Sequence, residues 1–291
     1  MLSTTILEED MDSELYSKNI SRRFKTYSSD MKDVWESYNF INKYLSHIHS
    51  LVKDDTIPPF SVVPLASTDG VENRLDKNKT FGYIDHILKK VNPERSLITA
   101  VALTEDFLQD LVKTVYTAYP EKLSGGESKD SPERVNKVID VILKSEDKGE
   151  ILEKLIEEKV RGIFYGNPVD FFLKDKKLKL QFGSLFKDNH TRNIEIYSEI
   201  IARRNIHAHN GGRVDRKYLR ETGDNSVSIG NKIKITEEYL QESIQILRGL
   251  AAVAAHSVSE RVFSAPPPRG RLFHVYSDFE KRFSDTARNS A

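Results

Sequence analysis

The stretch NPERSLITAVALTEDFLQDLVKTVYTAYP, residues 92–120, carries the pattern that decides the fold. Asn92-Pro93-Glu94 combines a capping residue, a proline at the first helical position and an acid in the first turn, which together predict a helix start. Leu97, Val101, Thr104, Leu108, Leu111 and Val115 then recur in steps of three and four until Pro120. That is the period of one helix face, not the alternation of a strand.

The same period extends in both directions. Toward the N-terminus, Phe24, Tyr27, Met31, Val34, Tyr38, Ile41, Leu45 and Ile48 form a heptad-like stripe that ends ahead of Asp54-Asp55-Thr56-Ile57-Pro58-Pro59. The polar stretch from there to about Thr80 reads as a long loop. Toward the C-terminus, Ser124-Gly125-Gly126 opens a polar loop, and Ser131-Pro132-Glu133 predicts a helix through Val135, Val138, Ile139 and Ile142. Ile151, Leu152, Leu155, Ile156 and Val160 mark the next helix, and Asn167-Pro168 caps a short one holding Phe171 and Phe172. A helix from near Thr191 carries Ile194, Tyr197, Ile200 and Ile201 and stops at Asn210-Gly211-Gly212, residues suited to a left-handed terminus. Val227, Ile229, Ile233 and Ile235 alternate around Gly230-Asn231, so the one hairpin is expected between Asn225 and Thr236. Thr236 caps a last long helix through Leu240, Ile244, Leu247, Ala251, Ala254 and Val258, which Pro266 to Pro268 end. No internal repeat is present.

These readings predict an all-α, up-and-down helical bundle with at most one short β-hairpin. They divide the chain into an N-terminal helical region (1–80), a helical domain (81–264) and a basic, aromatic C-terminal tail (265–291).

Composition bounds the function. Lys plus Arg and Asp plus Glu number 44 each among 291 residues, so any electrostatic steering must be local. The chain has no cysteine, which excludes disulfides, thiolate nucleophiles and cysteine-ligated zinc. Met1 to Ser13 does not read as a signal peptide, and the apolar runs Leu97–Leu103 and Leu250–Ala255 fall far short of the roughly 20 residues that span a bilayer. A soluble, cytoplasmic protein with no membrane association is the expectation.

Chemistry concentrates in Ala202-Arg203-Arg204-Asn205-Ile206-His207-Ala208-His209-Asn210-Gly211-Gly212. Arg204 offers a permanent charge and a planar fork that matches two phosphate oxygens; the His209 imidazole, with an ordinary pKa of about 6.5, can accept or donate a proton near neutrality. Such groups suit cleavage of an RNA backbone without metal: a base takes the 2′-OH proton, a cation stabilises the phosphorane, and an acid protonates the leaving 5′ oxygen. At about 100° per residue Asn205 and His209 share a face, so the carboxamide can orient the ring, whereas Arg204 and His209 diverge by roughly 140°. His207 is the second choice for an acid or base. Arg203, Arg213, Arg216, Lys217 and Arg220 surround the tip and are expected to contact RNA phosphates, although a solvated charged face is the simpler account of that composition. His207-x-His209 lacks a third ligand, so no metal is expected, and no cofactor either.

The segment Arg204-Asn205-Ile206-His207-Ala208-His209-Asn210 resembles the Arg-x(4–6)-His signature of HEPN domains, in the bacterial Arg-Asn-x-x-x-His form. The order of a long early helix, a variable middle, the motif helix and a final helix is similar as well, over about residues 92–264. The resemblance implies an all-helical domain, commonly a homodimer, whose paired motifs form a composite site for metal-independent RNA cleavage. It implies Arg204 and His209 as catalytic residues, with Asn205 the polar second residue, in a toxin or antiviral-defence effector with an antitoxin or sensor partner. Some members keep the fold as non-cleaving partners. The alternative is therefore a non-catalytic helical dimerisation or interaction scaffold of a defence or toxin-antitoxin system.

Overall fold

Neither glycine nor proline occurs between Leu2 and Lys53, and one helix, α1, spans that whole stretch. It starts well before the Phe24–Ile48 stripe because nothing in the chain interrupts it. The structure is a computed structural model that describes residues 2–66, 70–123, 147–164 and 167–288. After α1 come two short antiparallel strands, β1 (Ser61–Val62) and β2 (Asn73–Arg74), with Ser61 opposite Arg74. Then α2 (Lys77–His86) passes through a π turn at Ile87–Val91 into α3 (Asn92–Ala118). The later helices are α4 (Lys148–Phe164), three short ones, α5 (Asp170–Leu173), α6 (Asp175–Leu178) and α7 (Leu185–Asn189), then α8 (Thr191–Asn210) and α9 (Arg216–Thr222). The last are α10 (Glu237–Ser257), α11 (Arg271–Phe283) and α12 (Asp285–Arg288). The fold is all-α, as its periodicity predicts, with one short strand pair among the described residues, and no described helix is long and apolar enough to cross a membrane.

Three expectations need correction or relocation. Asn92-Pro93-Glu94 is not a helix start: α2 and α3 are continuous, and the wider π turn accommodates the proline, which has no N–H to bond back. Asn92 is buried and its Nδ2 donates to Tyr38 O at 3.0 Å and Asn42 Oδ1 at 2.9 Å, tying α3 to α1 instead of capping a helix. The strand pair lies at 61–74, not at 225–236. The latter segment instead pairs with the chain after α8, through Val214 N to Asn231 O (2.9 Å), Gly230 N to Val214 O (2.8 Å) and Ile233 N to Gly212 O (3.0 Å). The helix expected over 131–142 lies outside the described residues.

The main core runs through residues of all three segments, from Ile20 through Phe107 and Leu247 to Phe279. Helix α1 lies along α3, where the Phe24, Tyr27 and Phe107 rings pack together and Tyr27 Oη is 3.0 Å from Thr104 Oγ1. Arg23 also bridges to Asp106 and Asp110 at 2.7 and 2.6 Å, but partly exposed pairs contribute only about 0–1 kcal/mol. Each buried ring contributes about 1.5–3 kcal/mol, so the apolar seam holds α1 in place. Helix α11, within the 265–291 segment, crosses α10 where a Cβ on Gly249 would come within 1.9 Å of the Phe279 ring, so only glycine permits that approach. A smaller cluster of Ala202, Ile206, Val214 and Tyr218, covered by Leu219, Val227 and Ile233, forms under the end of α8. That satellite core positions the motif and α9.

Candidate functional site

Helix α8 presents Ile194, Tyr197, Ile200 and Ile201 to the core, and the next two turns carry the motif. It ends at Gly211 in the left-handed region, with Gly212 N bonded to Ile206 O at 3.0 Å. This is the glycine stop that Asn210-Gly211-Gly212 predicts. Past the stop, Asp215 caps α9 by accepting from Tyr218 N at 2.8 Å, which turns Lys217 and Arg220 back toward α8.

Arg204, Asn205 and His209 all line one open cleft of about 1070 Å³. Its other walls are Glu105 and Gln109 from α3, Asn167-Pro168-Val169 ahead of α5, and Lys217, Arg220 and Glu221 from α9. The angular divergence of Arg204 and His209 does not separate them, because the long arginine side chain reaches round to the cleft that His209 edges. His209 is exposed. No hydrogen bond joins Asn205 to His209, so the carboxamide does not orient the ring and is left facing the cleft.

Glu105 accepts a hydrogen bond from Arg204 Nη2, and the two side chains are similarly buried, 22% and 21% exposed. Burial holds the Glu105 carboxyl above its ordinary value, and the neighbouring Arg204 charge and hydrogen bond oppose that rise. Arg204 Nε is buried without a partner, so the guanidinium still has donor capacity. Sequence reasoning missed Glu105, 99 residues upstream of Arg204. The sequence shows it only as a carboxylate beside the apolar stripe of α3, four residues after Val101 and three before Leu108, with no spacing that links it to Arg204.

The other candidates divide. Lys217 and Arg220 line the cleft. Arg203 does not: its Nε donates to Glu199 Oε1 at 2.7 Å and its guanidinium lies 3.9 Å over the Tyr239 ring. Glu199 also accepts from Tyr218 Oη (2.9 Å) and Tyr239 Oη (2.6 Å), so this network joins α8, α9 and α10. Burial, then the Glu199 charge, pushes the Tyr218 hydroxyl up to about 12, which keeps it a donor. Arg213 is exposed and donates to Gly230 O at 3.2 Å, and Arg216 is exposed; neither lines the cleft.

His207 is buried away from the cleft. Its Nδ1 lies 3.0 Å from Glu94 Oε1, and its Nε2 has no partner. Burial lowers its pKa, against the hydrogen bond and charge of Glu94. It therefore supports the helix tip as packing and is not placed for proton transfer to a ligand. A Cβ on Gly212, at φ +76°, would lie 2.8 Å from His207 Cε1. Gly212→Ala is thus expected to cost about 1–3 kcal/mol and to displace the His207 ring, read as a fall in the thermal midpoint. An unchanged midpoint would contradict this packing.

His256 is a second, less enclosed histidine, with 12% of its side chain exposed against 2% for His207. It stacks on Tyr276 at 3.9 Å, and burial lowers its pKa against the charges of Glu260 and Glu280. A lowered folded-state value means that the unfolded chain binds more protons as pH falls below the ordinary 6.5. Stability from both rings is full above that value and is lost as pH falls through it toward the lowered ones, by at most about 1.4 kcal/mol per pH unit for each ring. The raised Glu105 carboxyl acts with the opposite sign, so the measurement is a difference. Between pH 7.5 and pH 5.5, about two units, the wild-type midpoint should fall more steeply than that of the His207→Gln/His256→Gln protein; parallel profiles would refute the assignment.

The charges around the cleft are Arg204, Lys217 and Arg220 against Glu105 and Glu221, a local cationic excess in a chain of zero net charge. A cleft of this size with a fork of donors, an imidazole and a carboxamide can hold a phosphodiester and exchange protons with it. No protein-family model, no curated protein and no solved structure matches the chain.

Proposed function

We propose that the chain is a metal-independent endoribonuclease of the HEPN type that cleaves RNA by attack of the 2′-OH on the adjacent phosphate. The observation that carries the reading is the convergence of Arg204, Asn205 and His209 on one open cleft edged by Lys217 and Arg220. His209 removes the 2′-OH proton or protonates the departing 5′ oxygen, Arg204 stabilises the charge that builds on the phosphorane, and Lys217 and Arg220 hold flanking phosphates. The products are a 2′,3′-cyclic phosphate and a free 5′-OH. Glu105 positions the Arg204 fork. A second proton-transfer group comes from the His209 of a second copy across a two-fold axis, as the resemblance implies. A toxin or antiviral-defence role, held in check by an antitoxin or sensor protein, is the biological setting we infer.

Wild-type protein incubated with total RNA should generate fragments ending in 2′,3′-cyclic phosphate equally well with and without EDTA. RNA left intact by pure, folded protein would overturn the reading. The second reading, a non-catalytic scaffold, draws on the Arg204–Glu105 pair, which already engages one arm of the arginine within its own chain. Under that reading RNA stays whole and substitutions at the tip disturb assembly.

A further inference from the structure

A second cationic groove, which shares no lining residue with the α8 cleft, lies between α10 and α11. It encloses about 310 Å³. Arg271, His274, Asp278 and Arg282 recur at steps of three and four and so share one face of α11. Arg248 faces them from α10, half-buried, with its Nε donating to Ser28 Oγ at 2.9 Å. The seating of Phe279 on Gly249 brings the two helices close enough for guanidiniums from both to edge one cavity.

Among the described residues no carboxylate forms an ion pair with Arg248, Arg271 or Arg282. Burial, and then the charge of Arg271, lowers the pKa of Arg248, so folding gathers like charges at a cost. Three guanidiniums against the single carboxylate of Asp278 leave 3 − 1 = 2 positive charges in the groove. A phosphate monoester, with about −1.5 to −2 charge near neutrality, matches that excess, and its oxygens suit arginine forks. A phosphodiester brings half as much charge. The volume is at the small end of ligand sites, about 300–1,000 Å³.

We propose that this groove binds a small organic phosphate monoester, its phosphate on the guanidiniums and its organic part against Val275 and Phe283, which also line the groove. The assignment is independent of the ribonuclease reading. Titration calorimetry would use ribose 5-phosphate and AMP as probes, inorganic phosphate as the ester-free source, and the deoxy diester dApdA, which lacks the attacking 2′-OH, as the monoanionic control. Both esters should bind saturably, more tightly than inorganic phosphate, and any dApdA binding, at the α8 cleft, should be unchanged by substitutions on α11. The Arg271→Gln/Arg282→Gln protein, altered only at exposed positions and checked by its thermal midpoint, should bind both esters at least about tenfold more weakly. Arg248→Gln should do the same. Absence of saturable binding by either ester, unchanged affinity in the folded double variant, or a dApdA affinity that the double variant weakens as much as that of AMP would overturn the site. Inorganic phosphate binding as tightly as both esters would overturn its assignment to an organic ligand.

Discussion

Arg204→Ala and His209→Ala should each reduce RNA cleavage in EDTA to background. Removing a positioned acid or base costs about 10²–10⁴ in rate, and removing a donor aimed at developing negative charge costs about 10²–10³. The two variants differ in stability. His209 is exposed, so its loss should change unfolding free energy by no more than about 0.5 kcal/mol. Arg204→Ala leaves the half-buried Glu105 carboxylate without its partner, at a cost of about 1–3 kcal/mol. Arg204→Lys therefore belongs beside it: the charge remains, the fork is lost, and cleavage should still fall. Glu105→Gln should slow cleavage without shifting the acid–base limbs of its pH profile, as expected for a residue that acts through Arg204. Undiminished cleavage by purified Arg204→Ala or His209→Ala would sink the ribonuclease reading.

The largest stability effect is expected at Glu199. Its carboxylate accepts from Arg203 Nε at 2.7 Å, Tyr218 Oη at 2.9 Å and Tyr239 Oη at 2.6 Å. Glu199→Ala strands a largely enclosed guanidinium, the buried Tyr218 hydroxyl and the partly buried Tyr239 hydroxyl, and loss of one partner of such a pair costs about 3–5 kcal/mol. Chemical denaturation should show the midpoint falling with little change in slope. Glu199→Gln should recover part of the loss, because its carbonyl oxygen can still accept from the tyrosines. A loss below about 1 kcal/mol would mean that the network is solvated and contributes as surface pairs do. Because Tyr218 belongs to α9, the same substitution should also weaken RNA binding through Lys217 and Arg220.

Much of this was legible locally. The steps of three and four in α3, α8 and α10, and in α1 from Phe24 to Tyr38, predict their buried faces, because a helix repeats its direction about every 3.6 residues wherever the chain lies; beyond Tyr38 the α1 stripe is only half-buried and Ile48 is exposed. Thr236 at the start of α10 and Gly211 at the end of α8 behave as their backbone chemistry dictates. The start signal at Asn92-Pro93 failed because the same residues fit a π turn when α1 offers Asn92 a buried partner. The hairpin at Asn225–Thr236 failed for a related reason. Its alternation is real, but Val227 and Ile233 cover the satellite core against Val214, and the backbone bonds of Gly230 N, Asn231 O and Ile233 N go to Val214 and Gly212, while Asn231 N closes a turn on Ser228 O.

The sequence by itself determined an all-α chain, the termini of the motif helix, and which residue types stand at its tip. Only the tertiary structure decided their roles. It set Arg204 against Glu105, turned Arg203 inward to Glu199 and Tyr239, buried His207 beneath Gly212, and left Asn205 and His209 facing a cleft with Lys217 and Arg220. Periodicity carries information over a few turns of one helix, whereas the charge that meets a guanidinium is supplied by whichever helix packs beside it. Glu105 and Arg204 are 99 residues apart, and only the packing of α3 on α8 makes them neighbours.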